Sequence, residues 1–220
     1  ERGLPERPPG AVGSRNAASS AAARRHQPGD PTVGIDIVSL AERPGLLDRC
    51  WSLTRLWPTF MLHDPVADLY YDRVESYAAT AWVAVDDGTL VARAFAVPFA
   101  MGESIGRSEL PAAGWDGVIR WAWLDHLAGR AATHLSALEI TIEPSYRGTG
   151  LAARLVQTMR EAAASQGFAA LVAPVRPSRK HEEPNTPMAA ATGSAAAVIR
   201  ACTVGGVEGM RPTLPAGWSP

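Results

Sequence analysis

ITIEPSYRGTGLAARL, residues 140–155, carries two hydrophobic periods with a break between them. Before the break, SALEITI (136–142) alternates apolar and polar residues as a strand does, and Pro144 stops it. After it, GLAARLVQTMREAAASQG (150–167) sets Leu151, Leu155 and Met159 on one helical face, with Val156 beside them. Arg154, Arg160 and Glu161 face away, and Gly167 is a good C-terminal stop. The break is Arg147-Gly148-Thr149-Gly150-Leu151-Ala152. Glycines there let a ligand approach the backbone without side-chain obstruction. The unpaired N–H groups of the helix's first turn, with the helix dipole, form an anion site suited to a pyrophosphate, and Arg147 and Arg154 would favour the same charge.

Three ligand readings compete for this turn. A P-loop ends in Gly-Lys-Ser/Thr, and no lysine is present, so that reading fails. A dinucleotide fingerprint needs G-x-G-x-x-G. Here Gly148-x-Gly150 is followed by Ala153, and the signal comes late in the chain. The third reading is an acyl-CoA site. A glycine-containing turn with no ligand is the alternative to all three.

Working outward, residues 32–40 alternate around Val33, Ile35 and Ile37 and read as a strand. Pro44 suits a first helical turn, and Leu46, Leu47, Cys50, Leu53, Thr54 and Trp57 follow at helical spacing until Pro58. A short helix is predicted over 65–76. TAWVAVDDGTLVARAFAV reads as two strands around Asp86-Asp87-Gly88, whose Asp-Gly pair signals a hairpin. Residues 101–115 form a loop, WDGVIRWAWLDHLAGR a helix, and the apolar run FAALVAPV (168–175) a buried strand.

The 220 residues are 46% hydrophobic and 20% charged, enough for a real core. A net charge of −1 argues against nucleic acid or an anionic membrane as a partner held by bulk charge. No apolar run approaches the roughly 20 residues of a membrane helix. Cys50 and Cys202 make neither a metal cluster nor a disulfide framework, and two free thiols suit a reducing, cytoplasmic compartment. No His/Cys/Asp spacing indicates a metal. Residues 1–31, rich in Pro, Gly, Ala, Ser and Arg, read as a disordered leader; they do not begin with Met, so the chain is expected to be a fragment or to carry an upstream extension. The folded domain is expected over 32–187. Residues 188–220 show no strand or helix period and read as an irregular tail.

The turn resembles motif A of the GNAT family of N-acetyltransferases, R-x-x-G-x-G/A, as Arg147-x-x-Gly150-x-Ala152. The preceding strand, the Glu143-Pro144 exit, the Leu151 helix start and the place of the motif after a hairpin all fit. The resemblance covers roughly 32–187. It implies an α/β fold, a mixed twisted sheet flanked by helices, in which two neighbouring parallel strands, by position 136–142 and 168–175, splay apart to admit a pantetheine arm. It implies acetyl-CoA as co-substrate, held by the loop of Arg147, Gly148, Thr149, Gly150, Leu151 and Ala152 and by backbone of Ile140, Thr141 and Ile142. It further implies direct acyl transfer to an amine, with a small molecule or a protein N-terminus as acceptor, and it admits a homodimer.

Many family members use a carboxylate as base, often through water. Glu139 and Glu143 alternate with Leu138, Ile140 and Ile142, so both carboxylates are expected on one face. Glu139 is the candidate base; a solvated or paired carboxylate is the alternative. Many members also use a tyrosine after the last of these strands. The four tyrosines here are Tyr70, Tyr71, Tyr77 and Tyr146, and none follows 168–175. The family continues with a helix and two strands where 188–220 does not, so that stretch is expected to be truncated or frame-shifted. A non-catalytic acyl-CoA binder without turnover is therefore the second function class.

LWPTFMLHDP with VRPSRKHEEPNTPM resembles a subgroup of uncharacterised bacterial members. By the family's layout, residues 57–63 border an acceptor cleft, with His63 and Asp64 as a second candidate base. Arg176, Arg179, Lys180 and His181 are candidates for the 3′-phosphate of CoA or a solvated turn. Trp51, Trp57, Trp82, Trp115, Trp121 and Trp123 are expected in packing, and His126 and His134 in structural roles.

Overall fold

The computed structural model describes residues 32, 34–57, 59–174 and 198–203. Six strands form one sheet in the order of the chain: β1 (Ile35–Ser39), β2 (Ala81–Asp86), β3 (Thr89–Phe99), β4 (His134–Ile142), β5 (Ala170–Pro174) and β6 (Val198–Thr203). All neighbours are antiparallel except β4 and β5, which are parallel. The helices are α1 (Leu47–Cys50), α2 (Asp68–Tyr71), α3 (Gly114–Leu127) and α4 (Leu151–Ser165), with 3₁₀ turns between them. The mixed sheet flanked by helices is the α/β architecture that the motif implied.

The hairpin forms where the Asp-Gly pair sits. Asp87 at φ 46° and Gly88 at φ 75° are both left-handed, as the tight turn between right-twisted strands requires. On one face of the sheet, Leu46, Cys50, Leu53, Val66, Tyr70, Val118, Ile119 and Ala122 pack over Val83, Phe95, Val97 and Phe99. On the other, Leu151, Leu155, Met159 and Ala163 of α4 lie on Ala84, Ala92, Ala94 and Ala96. That row of alanines lets α4 come close to the strands. Val156 is not part of this seam; it is 39% exposed.

Two expected helices are broken into short pieces. Residues 44–56 run as a 3₁₀ turn, the four-residue α1 and a second 3₁₀ stretch, and 65–76 reduces to α2 and the 3₁₀ stretch Val74–Thr80. Buried Leu46, Cys50 and Leu53 keep the helical spacing. Side chains take the carbonyls that a longer helix would use: Arg93 donates to the Cys50 carbonyl at 3.1 Å and Arg55 to that of Ser52 at 2.6 Å. Within the stretch expected to lack any strand period, Val198–Thr203 pairs with β5. The leader 1–31, the rest of the tail, and Arg176, Arg179, Lys180 and His181 lie outside the described residues.

Candidate active site

β4 and β5 pair through only three positions, His134–Ala170, Leu135–Leu171 and Ser136–Val172. Beyond them β4 runs on to Ile142 and β5 to Pro174 without pairing to each other, so the sheet forks. This is the splay expected of the strands at 136–142 and 168–175. A backbone with no partner along one edge is a place where an extended ligand chain can add as a strand would.

A bulge sets which side chains face the fork. Phe95 pairs with Glu139 and Ala96 with Ala137, so Leu138 has no partner on β3. One extra residue reverses the alternation of a strand. Leu135 and Ala137 pack under α4; past the bulge, Ile140 and Ile142 take that side. Leu138 joins the opposite core cluster, not the face opposite Glu139 that simple alternation gives it. Glu139 and Glu143 do share a face: Trp57 donates to Glu139 at 2.8 Å, and Arg55 pairs with Glu143.

Glu139 is bound from several sides. Its Oε2 accepts from Trp57 Nε1, from Thr141 Oγ1 at 2.7 Å and from Arg93 at 3.4 Å. Its Oε1 lies 2.9 Å from Arg93 Nε as an ion pair, without the alignment of a hydrogen bond. Arg93 is fully buried, donates to Thr54 Oγ1, and stands over the rings of Trp51, Trp57 and Phe95. Burial raises the pKa of Glu139, and Arg93, Thr141 and Trp57 offset part of the rise. The Tyr71 hydroxyl is buried among Trp57, Trp51, Phe95 and Trp115, and burial, reinforced by the nearby Glu139 charge, holds its pKa well above the ordinary value. Among the described residues, the buried side-chain polar atoms without a hydrogen bond are Tyr71 Oη, Arg93 Nε and Glu139 Oε1. All three belong to this cluster.

The glycine turn stands at the open end of the fork. Gly148 and Gly150 have φ of 75° and 89°, and open space surrounds the Cβ position of each. Gly150 caps α4 without a side-chain bond. Among the described residues, no backbone carbonyl accepts from the amides of residues 148–153; the first to be taken is that of Arg154, by Gly150. Free amides at a helix start with open space before them make an anion cradle. Thr149 Oγ1 donates to the Tyr146 carbonyl at 2.7 Å, and Tyr146 Oη to Asp86 at 2.7 Å, which ties the loop to the hairpin. Arg147 folds back on the Ile142 carbonyl at 3.2 Å. Arg154 does not face the cradle. Its guanidinium donates to the carbonyls of Thr32 and Ile35 and anchors the start of β1.

Arg93, Tyr71, Trp57 and Trp115 were not singled out as one site by the sequence. The legible signal was Arg93, a single charge inside the apolar run TLVARAFAV. His63 and Asp64 are not drawn into the Glu139 cluster; Asp64 accepts from the Val66 amide at 2.9 Å. His126 stacks on Trp123, and His134 lies near the Phe99 ring with its pKa lowered by burial. Among the described residues there is no metal-binding cluster, and no helix is long and apolar enough to cross a membrane.

The profile of the Acetyltransferase (GNAT) family matches residues 47–183. The chain is similar to an arginine N-acetyltransferase, avaD, of Aspergillus versicolor, 28% identical over 170 residues. The match covers 70% of this chain and 57% of that protein, so the chain spans little more than half the length of this relative. Among solved structures, it is similar to the GNAT-like decarboxylase GphF in complex with isobutyryl-CoA, at 23% identity and a TM-score of 0.45 over 69% of this chain and 72% of that one. A GNAT family N-acetyltransferase of Escherichia coli in complex with CoA matches at 21% identity and a TM-score of 0.40, over 72% and 70% of the two chains.

Proposed function

The chain belongs to the GNAT acetyltransferase family, and from that membership we propose that it moves an acetyl group from acetyl-CoA to a primary amine by direct attack. The observation that carries the reading is the turn of free amides and left-handed glycines at the mouth of the β4–β5 fork. Amides of Gly148, Thr149, Gly150, Leu151 and Ala152 would hold the pyrophosphate, with Arg147 at the rim. Backbone of Ile140, Thr141 and Ile142, on the edge that β5 leaves without a strand, would align the pantetheine arm. The amine nitrogen bonds to the thioester carbonyl carbon, the C–S bond breaks, and CoA leaves as the thiolate.

The amine must lose a proton, and Glu139 is our candidate for its base, directly or through one water. Support comes from its place on β4 beside the fork and from burial, which brings the group nearer in pKa to an amine. The named relative makes L-arginine the first acceptor to test, with a peptide N-terminus as the second class. A reducing, cytoplasmic setting is the matching proposal on location, in keeping with the buried free thiol of Cys50.

The test is thermal unfolding with and without acetyl-CoA, with NAD as control. A ligand that binds only the folded chain raises the midpoint by mass action. Acetyl-CoA should raise it and NAD should not. A cooperative transition that neither ligand moves would refute the cofactor reading. Thiol release from acetyl-CoA in the presence of L-arginine or a peptide amine then separates an enzyme from a binder without turnover.

A further inference from the structure

The fork between β4 and β5 is bridged from one side by the start of α3. The last paired positions are Ser136 and Val172. Two residues further along each strand, α3 touches both: Trp115 Nε1 donates to the Leu138 carbonyl at 3.2 Å, and the Cβ position of Gly114 lies 3.7 Å from Pro174 Cβ. The indole stacks on Tyr71 at 6.2 Å and 28°. Behind it, Gly117 meets Pro111 so closely that a Cβ there would lie 2.5 Å from the proline ring, which holds this turn of α3 against its loop. Trp115 is thus fixed by an edge-on hydrogen bond and a stacked face.

We propose that Trp115 sets the length of acyl chain the site accepts, closing the inner end of the fork to groups much larger than acetyl. This rests on the reading above that acyl-CoA lies along β4 with its phosphates at Gly148–Ala152. From that cradle the arm runs back along the edge that β5 leaves without a strand, from Ile142, whose carbonyl Arg147 holds, to Leu138, about 13 Å at the rise of a strand. The thioester then arrives at the Leu138 carbonyl, where the indole stands. Unbranched carbons added to the acyl group extend it toward the apex at Ser136 and Val172, into the ring.

The test needs no acceptor. Midpoint shifts are measured with CoA and with acetyl-, butyryl- and hexanoyl-CoA for the wild type, Trp115→Phe and Trp115→Ala. In the wild type, affinity should fall about tenfold or more from acetyl to hexanoyl, read as a smaller shift. Trp115→Phe, which keeps a ring, should hold that order, and Trp115→Ala should bind hexanoyl-CoA at least as well as acetyl-CoA. If Trp115→Ala shows no cooperative transition, Trp115→Leu, which keeps an apolar contact for Tyr71 with less bulk, carries the same comparison. Wild-type protein that favours hexanoyl-CoA, or a small residue at 115 that leaves the order unchanged, overturns the proposal while the cofactor reading stands. No shift with CoA or acetyl-CoA overturns both.

Discussion

Arg93 enters the core with its guanidinium out of water, and Glu139 is what makes that tolerable. An unpaired buried charge is far more costly than a paired one, and breaking such a pair by removing one partner costs about 3–5 kcal/mol. Glu139→Gln keeps the bonds from Trp57 and Thr141 but strands the charge of Arg93. Because burial already disfavours the Glu139 charge, Glu139→Gln should cost less in denaturant unfolding than Arg93→Met, which strands the carboxylate and should lose about 3 kcal/mol. If Glu139 is the base, turnover of Glu139→Gln should fall about a hundredfold or more. The double change Arg93→Met with Glu139→Gln separates the two effects: stability should partly return and turnover should not. Recovery of turnover in the double variant would assign Glu139 to structure alone. The raised pKa of Glu139 also has a sign. Its base form is lost as pH falls through a value above the ordinary carboxylate range, so the acid limb of kcat/KM should lie above that range.

The bulge in β4 and the cradle of α4 are the two elements that make a site from a sheet. Without the unpaired Leu138, Glu139 would fall in phase with Leu135 and Ala137, under α4 and away from Arg93. The cradle depends on Gly150 at φ 89°, where a Cβ costs about 1–2 kcal/mol. Gly150→Ala should therefore lose about that much stability, while Gly150→Asp should also abolish the midpoint shift with acetyl-CoA, since a carboxylate would face the phosphates. A Gly150→Asp protein that still responds to acetyl-CoA would move the phosphate site elsewhere. The 3₁₀ pieces at 51–56 and 74–80 belong to this scale too. Side-chain donors take a carbonyl within each, Arg55 that of Ser52 and Thr80 that of Tyr77.

Across the whole molecule, Asp125 is the knot that joins β3 to α3. Its carboxylate accepts from the Ala100 amide at 2.7 Å and pairs with Arg107 and Arg130, and Arg107 lies over the Trp121 ring. Burial pushes the Asp125 pKa up, but these donors outweigh it and hold it below the usual value. The stability it adds is present above the unfolded pKa and lost as pH falls through the lower folded one. Asp125→Asn should cost about 3 kcal/mol at neutral pH. The gap from wild type should narrow below about pH 4 in urea titrations; a gap constant from pH 7 to pH 3 would count against the charged role. Periodicity, the Asp-Gly turn and the Arg147–Ala152 motif determined β1 to β5, the hairpin, and α4 with the turn before it, because those patterns report contacts close in sequence; β6 carried no such pattern. That is why the strands at 136–142 and 168–175 and the glycine turn before α4 were legible from residues alone. The phase set by Leu138 and the meeting of Arg93 with Glu139, Trp57 and Tyr71 were decided only in the tertiary structure. Arg93 and Glu139 are 46 residues apart, and Trp57 and Glu139 are 82 apart. No local period encodes such a pairing; the desolvation of a buried charge demands a partner without saying where in the chain it lies.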